Sequence, residues 1–454
     1  MRRYRCTICG YIHQGDSPPA ECPVCGAGPE DFVLLADETS APAPETLPTG
    51  ASKPEPVTDA RWVILGGGIA GLSAAEAARG VRPDAGITLV HREPELPYNR
   101  LNLTRYLAGS VAREALVIQP GSWFEERNIR LVHAEARHLD RARRRVILDD
   151  GGEISYDRLV LAMGAHAFVP ALPGVRRRGV HVMRTIADAD AILECASRAR
   201  RCICIGGGLL GLETAGGLAG RGLQVTVLDA ARWLLSRQLA QSASARLAGL
   251  LGGIGITVRT GVKTAEIAGD EGVRSVVLAD GTEIPADLVV IAAGVRPNVG
   301  LARAAGLVVN RAVVVDDALR TDDPDIFAAG DVAEHRGISW GLWTVAREQG
   351  RLAGRALAGE EVVYQGTPPA TQLKVLDWPV FSIGRFEAEE PSDQVFQQAD
   401  TVRLVRIVLR NGVVIGGNLI GDATLAGPLR QAVQEQLTLA AVPELGILVS
   451  SSPA

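Results

Sequence analysis

The chain has 454 residues, of which 47% are hydrophobic and 22% are charged, and its formal net charge is −5. This length predicts about three domains, and this composition excludes bulk disorder. The slightly acidic balance argues against nucleic acid as a main partner. No apolar stretch approaches the roughly eighteen residues that span a membrane, and none follows Met1, so we expect a cytoplasmic protein without a membrane partner.

The first motif is a pair of CxxC segments separated by twelve residues, which comprises Cys6, Cys9, Cys22 and Cys25. Four such thiolates can surround one tetrahedral metal ion, and both zinc and iron suit an all-thiolate site. The spelling CTICGYIHQG…CPVCG resembles the rubredoxin-like module, which implies a single redox-active iron (Fe²⁺/Fe³⁺) in residues 1–36. A structural zinc ribbon that docks a partner is the alternative.

The next segment, residues 37–60, contains five prolines and lacks apolar periodicity. This pattern predicts a linker.

An internal repeat follows, with RWVILGGGIAGLSAAEAARG at 61–80 and RCICIGGGLLGLETAGGLAG at 201–220. Each copy has a short apolar strand, a glycine-rich turn and an Ala/Leu-rich helix, and a second strand follows at 87–90 and at 224–228. Strands that alternate with helices predict two βαβ units with parallel sheets.

Each turn of the repeat carries the pattern GxGxxG. In such a turn the first glycine allows the tight bend, the second lets a pyrophosphate approach the backbone, and the third allows close packing of helix on strand. Because the pattern recurs in equivalent contexts, the sequence predicts two dinucleotide sites. The glycines are Gly66, Gly68 and Gly71 in the first copy and Gly206, Gly208 and Gly211 in the second.

The second strand of a dinucleotide fold usually ends in an acid that binds the ribose hydroxyls. In the second copy this residue is Asp229, which favours NADH because a carboxylate repels the 2′-phosphate of NADPH. Arg232 lies close enough in the sequence to leave NADPH open. In the first copy the position is His91, and we expect Glu93 or backbone atoms to contact the ribose there.

Three further segments are YDRLVLAMGA at 156–165, LVVIAAGVRPN at 288–298 and TDDPDIFAAGDVA at 321–333. Together with the glycine motifs, they resemble the pyridine nucleotide-disulfide oxidoreductase superfamily. LPYNRLNLTRYL at 96–107 and GLWTVAREQGRLAG at 341–354 resemble its branch of rubredoxin reductases, ferredoxin reductases and the flavin part of large nitrite reductases.

The resemblance implies that the first fold binds FAD and the second binds NADH or NADPH. It implies FAD contacts for Arg100, for Gly330 and for Asp331, whose carboxylate would accept a hydrogen bond from the ribityl or pyrophosphate region. It also implies that the helix near Trp343 points its positive end at the flavin and that Trp343 covers the ring, although a plain core position is the alternative for this tryptophan.

Two residues are the catalytic candidates by the same resemblance. Arg105, where relatives often carry a lysine, would lie beside the reactive nitrogen of the flavin and pair with Glu213. No CxxC pair follows the first glycine loop, and this disfavours disulfide reductase activity.

We therefore predict an α/β protein with two Rossmann-like domains, in which the NAD domain is inserted in the FAD domain. A small rubredoxin-like module precedes them, and a small α+β domain follows, because RLVRIVLRNGVVIGGNLIG predicts antiparallel strands around an Asn-Gly turn. The predicted divisions are 1–36 for the iron module, 37–60 for the linker, 61–170 and 297–362 for the FAD domain, 171–296 for the NAD domain and 363–454 for the C-terminal domain.

The predicted function is hydride transfer from NADH to FAD, followed by single-electron transfer to the iron and then to an external electron-acceptor protein. The flavin is required because nicotinamide gives two electrons together, whereas one iron accepts one. The alternatives are a zinc-bearing flavoprotein redox sensor and a reductase component for nitrite assimilation or for a hydroxylase. Monomer and homodimer both remain open.

Overall fold

A computed structural model of the chain describes residues 2–6, 12–19, 29, 32–34, 60–366, 370–372, 378–421 and 424–445. The predicted metal site falls largely outside these residues, because only the backbone of Cys6 is described. The predicted linker lies outside them up to residue 59.

The N-terminal residues form a three-stranded antiparallel sheet, in which the first strand pairs with both others. Tyr4 is buried in this unit, and its hydroxyl donates a hydrogen bond to the carbonyl oxygen of Asp16 at 3.0 Å. The strands are β1 Arg2–Cys6, β2 Ile12–Gly15 and β3 Phe32–Leu34.

The first dinucleotide fold begins at Arg61 with a buried apolar strand. Its strands are β4 Arg61–Leu65, β5 Gly86–His91, β6 Ile129–His133, β7 Ala136–Asp140, β8 Arg145–Leu148, β9 Glu153–Ser155, β10 Arg158–Leu161 and β11 Ala165–Ala167. Its helices are α1 Ile69–Val81, α2 Leu103–Leu107 and α3 Gly121–Glu126. Strands β10, β4, β5 and β6 lie side by side in one parallel sheet, and β7, β8 and β9 form a separate antiparallel sheet.

The second dinucleotide fold repeats this plan with its own parallel sheet, in the order β12-β19-β13-β14-β15. Its strands are β12 Val180–Val182, β13 Arg201–Ile205, β14 Gln224–Asp229, β15 Ile256–Thr260, β16 Thr264–Ala268, β17 Ser275–Leu278, β18 Glu283–Pro285, β19 Leu288–Ile291 and β20 Val295–Pro297. Its helices are α4 Ile186–Ala196, α5 Leu209–Gly220 and α6 Gln241–Gly253. Strands β11 and β20 pair antiparallel where the chain leaves the first fold and returns to it.

The returning chain completes the first sheet. Its elements are α7 Gly300–Ala304, β21 Val313–Val315, β22 Ile326–Ala328, β23 Ala333–His335 and α8 Trp343–Leu357. Strand β22 pairs with β10. Helix α8 packs on α1 at backbone distance, since a Cβ atom at Gly350 or Gly354 would lie 2.2 Å from the carbonyl oxygens of Ala70 and Ala74. This close packing explains Gly350 and Gly354 of the segment 341–354.

The C-terminal part is an antiparallel sheet, in the order β24-β25-β28-β27-β26, with one helix against it. Its elements are β24 Ala370–Gln372, β25 Val380–Gly384, β26 Asp393–Ala399, β27 Leu404–Arg410, β28 Val413–Ile420 and α9 Ala426–Gln434. Asn411 and Gly412 join β27 to β28, so the predicted Asn-Gly turn is confirmed. The sheet also contacts the second fold, where Asn418 Oδ1 accepts a hydrogen bond from the Ala240 N–H at 2.9 Å.

The predicted fold class is confirmed: the second parallel sheet is inserted within the sequence of the first, and a small α+β unit follows both. Within the described residues, no helix is both long and apolar enough to cross a membrane.

Candidate functional site

A cavity of about 1210 Å³ lies at the carboxyl ends of the first sheet and reaches the second fold. Its lining includes the first glycine loop, Glu213 of helix α5, Trp343 of helix α8 and Phe381 of the C-terminal sheet. One space is therefore shared by the two dinucleotide folds and the C-terminal part.

The first glycine loop is tight against the sheet and open toward the cavity. Gly66 has φ +118°, and a Cβ there would lie 2.2 Å from the carbonyl oxygen of Ala162. A Cβ at Gly71 would lie 1.8 Å from the Gly66 oxygen, whereas a Cβ at Gly68 would meet no atom within 4 Å. Helix α1 starts directly after Gly68 without a side-chain cap, so its first N–H groups are available to an anion.

The second glycine loop has the same geometry. Gly206 has φ +118°, and its Cβ would lie 2.3 Å from the Ala292 oxygen. A Cβ at Gly211 would lie 1.9 Å from the Gly206 oxygen, and a Cβ at Gly208 would meet nothing within 4 Å. Each glycine of both motifs therefore has the steric surroundings that its proposed role requires.

At the end of β5, Glu93 is held by two side chains. The Tyr98 hydroxyl donates to Glu93 Oε2 at 2.5 Å, and Arg100 forms an ion pair with Glu93. Burial acts to raise the pKa of Glu93, but Arg100 and Tyr98 outweigh it and hold this pKa below its usual range. Arg100 also donates to the Arg184 carbonyl oxygen at 2.9 Å. Both Glu93 and Arg100 line the cavity, and their contacts with a cofactor stay predictions.

Asp331, which follows β22, is paired with an arginine that the sequence analysis did not single out. Arg184 donates to Asp331 Oδ2 at 2.8 Å and, through Nε, to the Ala165 carbonyl oxygen at 3.0 Å. The N–H of Gly330 donates to the buried Gln349 Oε1 at 2.9 Å. The Arg184–Asp331 ion pair therefore joins the start of the second fold to the segment that completes the first fold.

Glu213 is buried in α5 and contacts α2. The Thr104 hydroxyl donates to Glu213 Oε2 at 2.9 Å, and both residues line the cavity. Arg105 is the next residue of α2 and is half-buried, but it is not among the described residues that line the cavity. The predicted pairing of Arg105 with Glu213 stays a prediction, and Thr104 is the partner of Glu213 that the sequence analysis missed.

Asp229 ends β14 beside the second glycine loop. Its Oδ2 accepts from the Gly207 N–H at 2.9 Å, and its Oδ1 accepts from the Ala231 N–H at 3.0 Å. These bonds fix the carboxylate at the end of the second strand, where a dinucleotide fold places its ribose-binding acid. Arg232 is exposed nearby in the sequence.

The C-terminal part adds side chains to the cavity that the sequence analysis missed, namely Phe381, Arg430 and Gln434. The guanidinium carbon of Arg430 lies 5.4 Å from the centre of the Phe381 ring. Burial lowers the pKa of Arg430 from its usual value. No local sequence signal marks these residues, because only the packing of α9 on its sheet brings them to the cavity.

The residues present fit a flavin dinucleotide. Two buried nitrogen atoms in the lining, His91 Nε2 and Trp343 Nε1, have no hydrogen-bond partner among the described residues. Buried polar atoms normally have a partner, so these two are available to a bound group. Helices α1 and α8 also begin in this lining, and the N-terminus of a helix favours anionic oxygen atoms.

The predicted metal ligands fit iron or zinc by the chemistry of four thiolates. Their geometry falls outside the described residues. Within the described part of the chain, no group of three or more His, Cys, Asp or Glu side chains is arranged to hold a metal ion.

Three segments match known families. Residues 60–350 match the family described as pyridine nucleotide-disulphide oxidoreductase. Residues 4–33 match the rubredoxin-like domain of rubrerythrin, and residues 369–437 match the C-terminal domain of rubredoxin NAD⁺ reductase.

Individual relatives cover most of the chain. A nitrite reductase (NAD(P)H) of Bacillus subtilis is 37% identical over 391 residues, which is 85% of this chain and 48% of that protein, so the chain spans about half of its length. The NADH-rubredoxin oxidoreductase of Clostridium acetobutylicum is 29% identical over 390 residues, 86% of this chain and 98% of that protein. The crystal structure of a ferredoxin reductase from Rhodopseudomonas palustris has a TM-score of 0.80 and 28% identity, and covers 87% of this chain and 100% of its own.

Proposed function

Because the chain belongs to the pyridine nucleotide-disulphide oxidoreductase family, we propose that it takes hydride from NADH and delivers electrons through FAD to one iron, and from there to an external acceptor. The observation that carries this proposal is the shared cavity, which is lined by the first glycine loop and by the start of α5 in the second fold. The lining residues would therefore hold a nicotinamide from the second fold and a flavin from the first in one space, where positioning would lower the barrier to hydride transfer.

Bound FAD would supply the conversion between two-electron transfer from nicotinamide and one-electron transfer to iron. The N-terminus of α1 would bind the phosphates, and Arg184 and Arg100 hold Asp331 and Glu93 in fixed orientations in the cavity lining. The residues that we assign to FAD are Gly66, Gly68, Gly71, Glu93, Arg100, Gly330, Asp331 and Trp343.

NADH is assigned to the second loop through Gly206, Gly208, Gly211 and Asp229. The carboxylate of Asp229 is fixed at the end of β14 by two backbone N–H groups. Its carboxylate oxygen atoms would accept hydrogen bonds from the ribose hydroxyls, and its negative charge would repel a 2′-phosphate. Both effects support NADH over NADPH as the substrate.

The proposed reaction needs no dithiol. The free cysteines of the described region are Cys195, Cys202 and Cys204, and none of them lines the cavity. Cys202 and Cys204 are buried in β13. Electron transfer out of the site is therefore assigned to the iron of residues 1–36 and not to a cysteine pair in the described region.

The match of residues 4–33 and the similarity to a Clostridium protein named NADH-rubredoxin oxidoreductase support a rubredoxin-type iron as the acceptor. We propose that Cys6, Cys9, Cys22 and Cys25 hold it and that residues 37–60 tether it. Such a tether raises the local concentration of the module to the order of millimolar. Similarity to a nitrite reductase over 85% of the chain supports a nitrogen-oxide reductase as one class of external acceptor.

At the reacting end we assign Glu213, and we assign Arg105, outside the cavity lining, as a nearby cation. Glu213 lines the cavity and is oriented by the Thr104 hydroxyl, and Arg105 supplies a positive charge from the same helix as Thr104. A fixed cation favours electron-rich states of a neighbouring ring.

Anaerobic rapid mixing of NADH with the full-length, FAD-loaded chain tests the hydride step. We expect the absorbance of oxidised flavin to disappear at a rate that saturates with NADH. Glu213→Gln should slow this step about tenfold, as expected for loss of one charge-assisted hydrogen bond. The matched control Glu76→Gln, at an exposed position of α1, should leave the rate unchanged. A full-length chain that retains no FAD, or whose flavin NADH does not reduce, would contradict the proposed function.

A further inference from the structure

His91 occupies the position in the first fold that Asp229 occupies in the second. In the first sheet Leu65 is opposite Val90, and in the second Ile205 is opposite Leu228. His91 and Asp229 are the next residues along and end their strands β5 and β14. A dinucleotide fold uses this position to bind the adenosine ribose.

The His91 ring lies directly beneath the first glycine loop. A Cβ at Gly67 would be 2.4 Å from His91 Nδ1, just as a Cβ at Gly207 would be 2.6 Å from Asp229 Oδ2. His91 is only 5% exposed, and it lines the cavity. The imidazole therefore fills the space against the loop that the carboxylate fills in the second fold.

The Nε2 atom of His91 is buried and has no hydrogen-bond partner within the described residues. Leaving a buried polar atom without a partner is unfavourable, so a ligand that supplies a partner gains affinity from this atom. Burial lowers the pKa of His91 to about 4, so the ring is neutral near pH 7 and offers one N–H donor and one lone pair.

The neighbouring side chains are already engaged. Glu93 is bonded to Tyr98 and Arg100. Arg92 is exposed and lies 3.7 Å from Glu135. Of the three residues 91–93, His91 is the buried one whose ring carries a nitrogen atom without a partner among the described residues.

We propose that His91 Nε2 hydrogen-bonds the adenosine ribose of FAD in the first fold, in the place of the usual acid. This inference rests on the proposed function in that it takes the first fold to bind FAD. It assigns the ribose contact to His91, whereas the sequence analysis expected Glu93 or backbone atoms. It also explains why the middle residue of this loop is Gly67, because any larger residue would displace the imidazole ring.

The test is FAD and FMN binding by the deflavinated full-length chain, measured by titration calorimetry. FMN carries the flavin and one phosphate but lacks the adenosine. His91→Ala should weaken FAD binding about tenfold, the loss expected for one hydrogen bond, and should change FMN binding by no more than about twofold. His91→Gln places an amide nitrogen near the Nε2 position and should recover most of the FAD affinity. The matched control is His133→Ala, at the exposed residue opposite His91 on β6, which should bind FAD normally.

FAD analogues that lack the adenosine 2′- or 3′-hydroxyl locate the contact. For the wild-type chain, one of these analogues should bind about tenfold more weakly than FAD. For His91→Ala, the same analogue and FAD should bind with equal affinity, because the contact is already lost. The inference is overturned if His91→Ala binds FAD as tightly as wild type, or if it loses FAD and FMN affinity equally, which would indicate a structural role only. A wild-type chain that binds FMN and FAD equally would also overturn it. A wild-type chain that binds neither flavin would overturn the proposed function itself.

Discussion

The ion pair between Arg184 and Asp331 gives the sharpest prediction about how the two folds are joined. Arg184 Nη2 and Asp331 Oδ2 are 2.8 Å apart, and the side chains of Arg184 and Asp331 are only 25% and 13% exposed. A charge-assisted hydrogen bond in such a setting contributes about 1.5–3 kcal/mol, because little water remains to replace the lost partner. Arg184→Ala should therefore cost about 2 kcal/mol and, for a cooperative unit of about 300 residues, lower the midpoint of thermal unfolding by about 3 °C.

A double-mutant cycle isolates the pair. Asp331→Ala alone should cost somewhat less, because Arg184 also bonds the Ala165 carbonyl oxygen. Arg184→Ala combined with Asp331→Ala should be little worse than Arg184→Ala alone, because the ion pair is lost in all three variants. Circular dichroism of the full-length chain on heating measures each midpoint. Arg336→Ala is the matched control: it breaks a pair with Asp317 of similar length, 2.7 Å, whose side chains are 59% and 47% exposed. An exposed pair contributes about 0–1 kcal/mol, so this change should shift the midpoint much less.

A coupled ion pair is contradicted if the shifts of Arg184→Ala and Asp331→Ala simply add in the double variant. Additivity would mean that each side chain stabilises the protein independently. The role of burial is contradicted if Arg336→Ala is as destabilising as Arg184→Ala, because burial would then not decide the strength of the pair.

Three further predictions test the assigned sites. Gly71→Ala should abolish FAD retention, because its Cβ would lie 1.8 Å from a loop carbonyl oxygen. The control Gly80→Ala, on the same helix, places a Cβ that meets no atom within 4 Å and should purify with normal flavin content. Equal flavin content in the two variants would refute the steric argument. The wild-type chain should prefer NADH over NADPH by at least about tenfold in kcat/KM, which corresponds to about 1.4 kcal/mol of transition-state stabilisation. Asp229→Asn should reduce this ratio toward one. An unchanged ratio would mean that another residue sets the nucleotide preference. Cys9→Ser should abolish iron reduction in stopped-flow spectra, while NADH still reduces the flavin. The control Cys195→Ser should leave both steps intact. Normal iron reduction in Cys9→Ser would show that Cys9 is not an iron ligand.

Features that depend on short stretches of sequence were predictable. The two glycine loops carry their steric requirement within a few residues, since the first and third glycines of each loop contact one another. The Asn411-Gly412 turn is also local, because these residue types suit the turn itself. The doubly wound fold follows from such units in succession.

Contacts between distant segments were not predictable in the same way. Arg184 and Asp331 lie 147 residues apart, and Thr104 and Glu213 lie 109 residues apart, so no periodicity relates them. Arg430 reaches the cavity through two packing contacts, that of α9 on its sheet and that of this sheet on the second fold. In each case tertiary packing selects the partner, and only the resemblance to a family could suggest that Glu213 belongs to the site.

His91 lies between these two cases. Its place at the end of the second strand was visible in the sequence. Its unused nitrogen was not, because the burial of Nε2 without a partner is set by tertiary packing. A residue type that departs from the usual acid was thus a signal in itself. The burial of the ring beneath Gly67 turns that signal into an assignable role.

The central claim is that electrons pass from NADH through the flavin to iron in residues 1–36. Metal analysis combined with an anaerobic NADH titration of the full-length chain, purified with its native metal, tests it most directly. We predict one iron per chain, loss of oxidised-flavin absorbance on addition of NADH, and then bleaching of the red ferric-thiolate bands. Stoichiometric zinc in place of iron, or iron that stays oxidised while the flavin is fully reduced, would contradict the account.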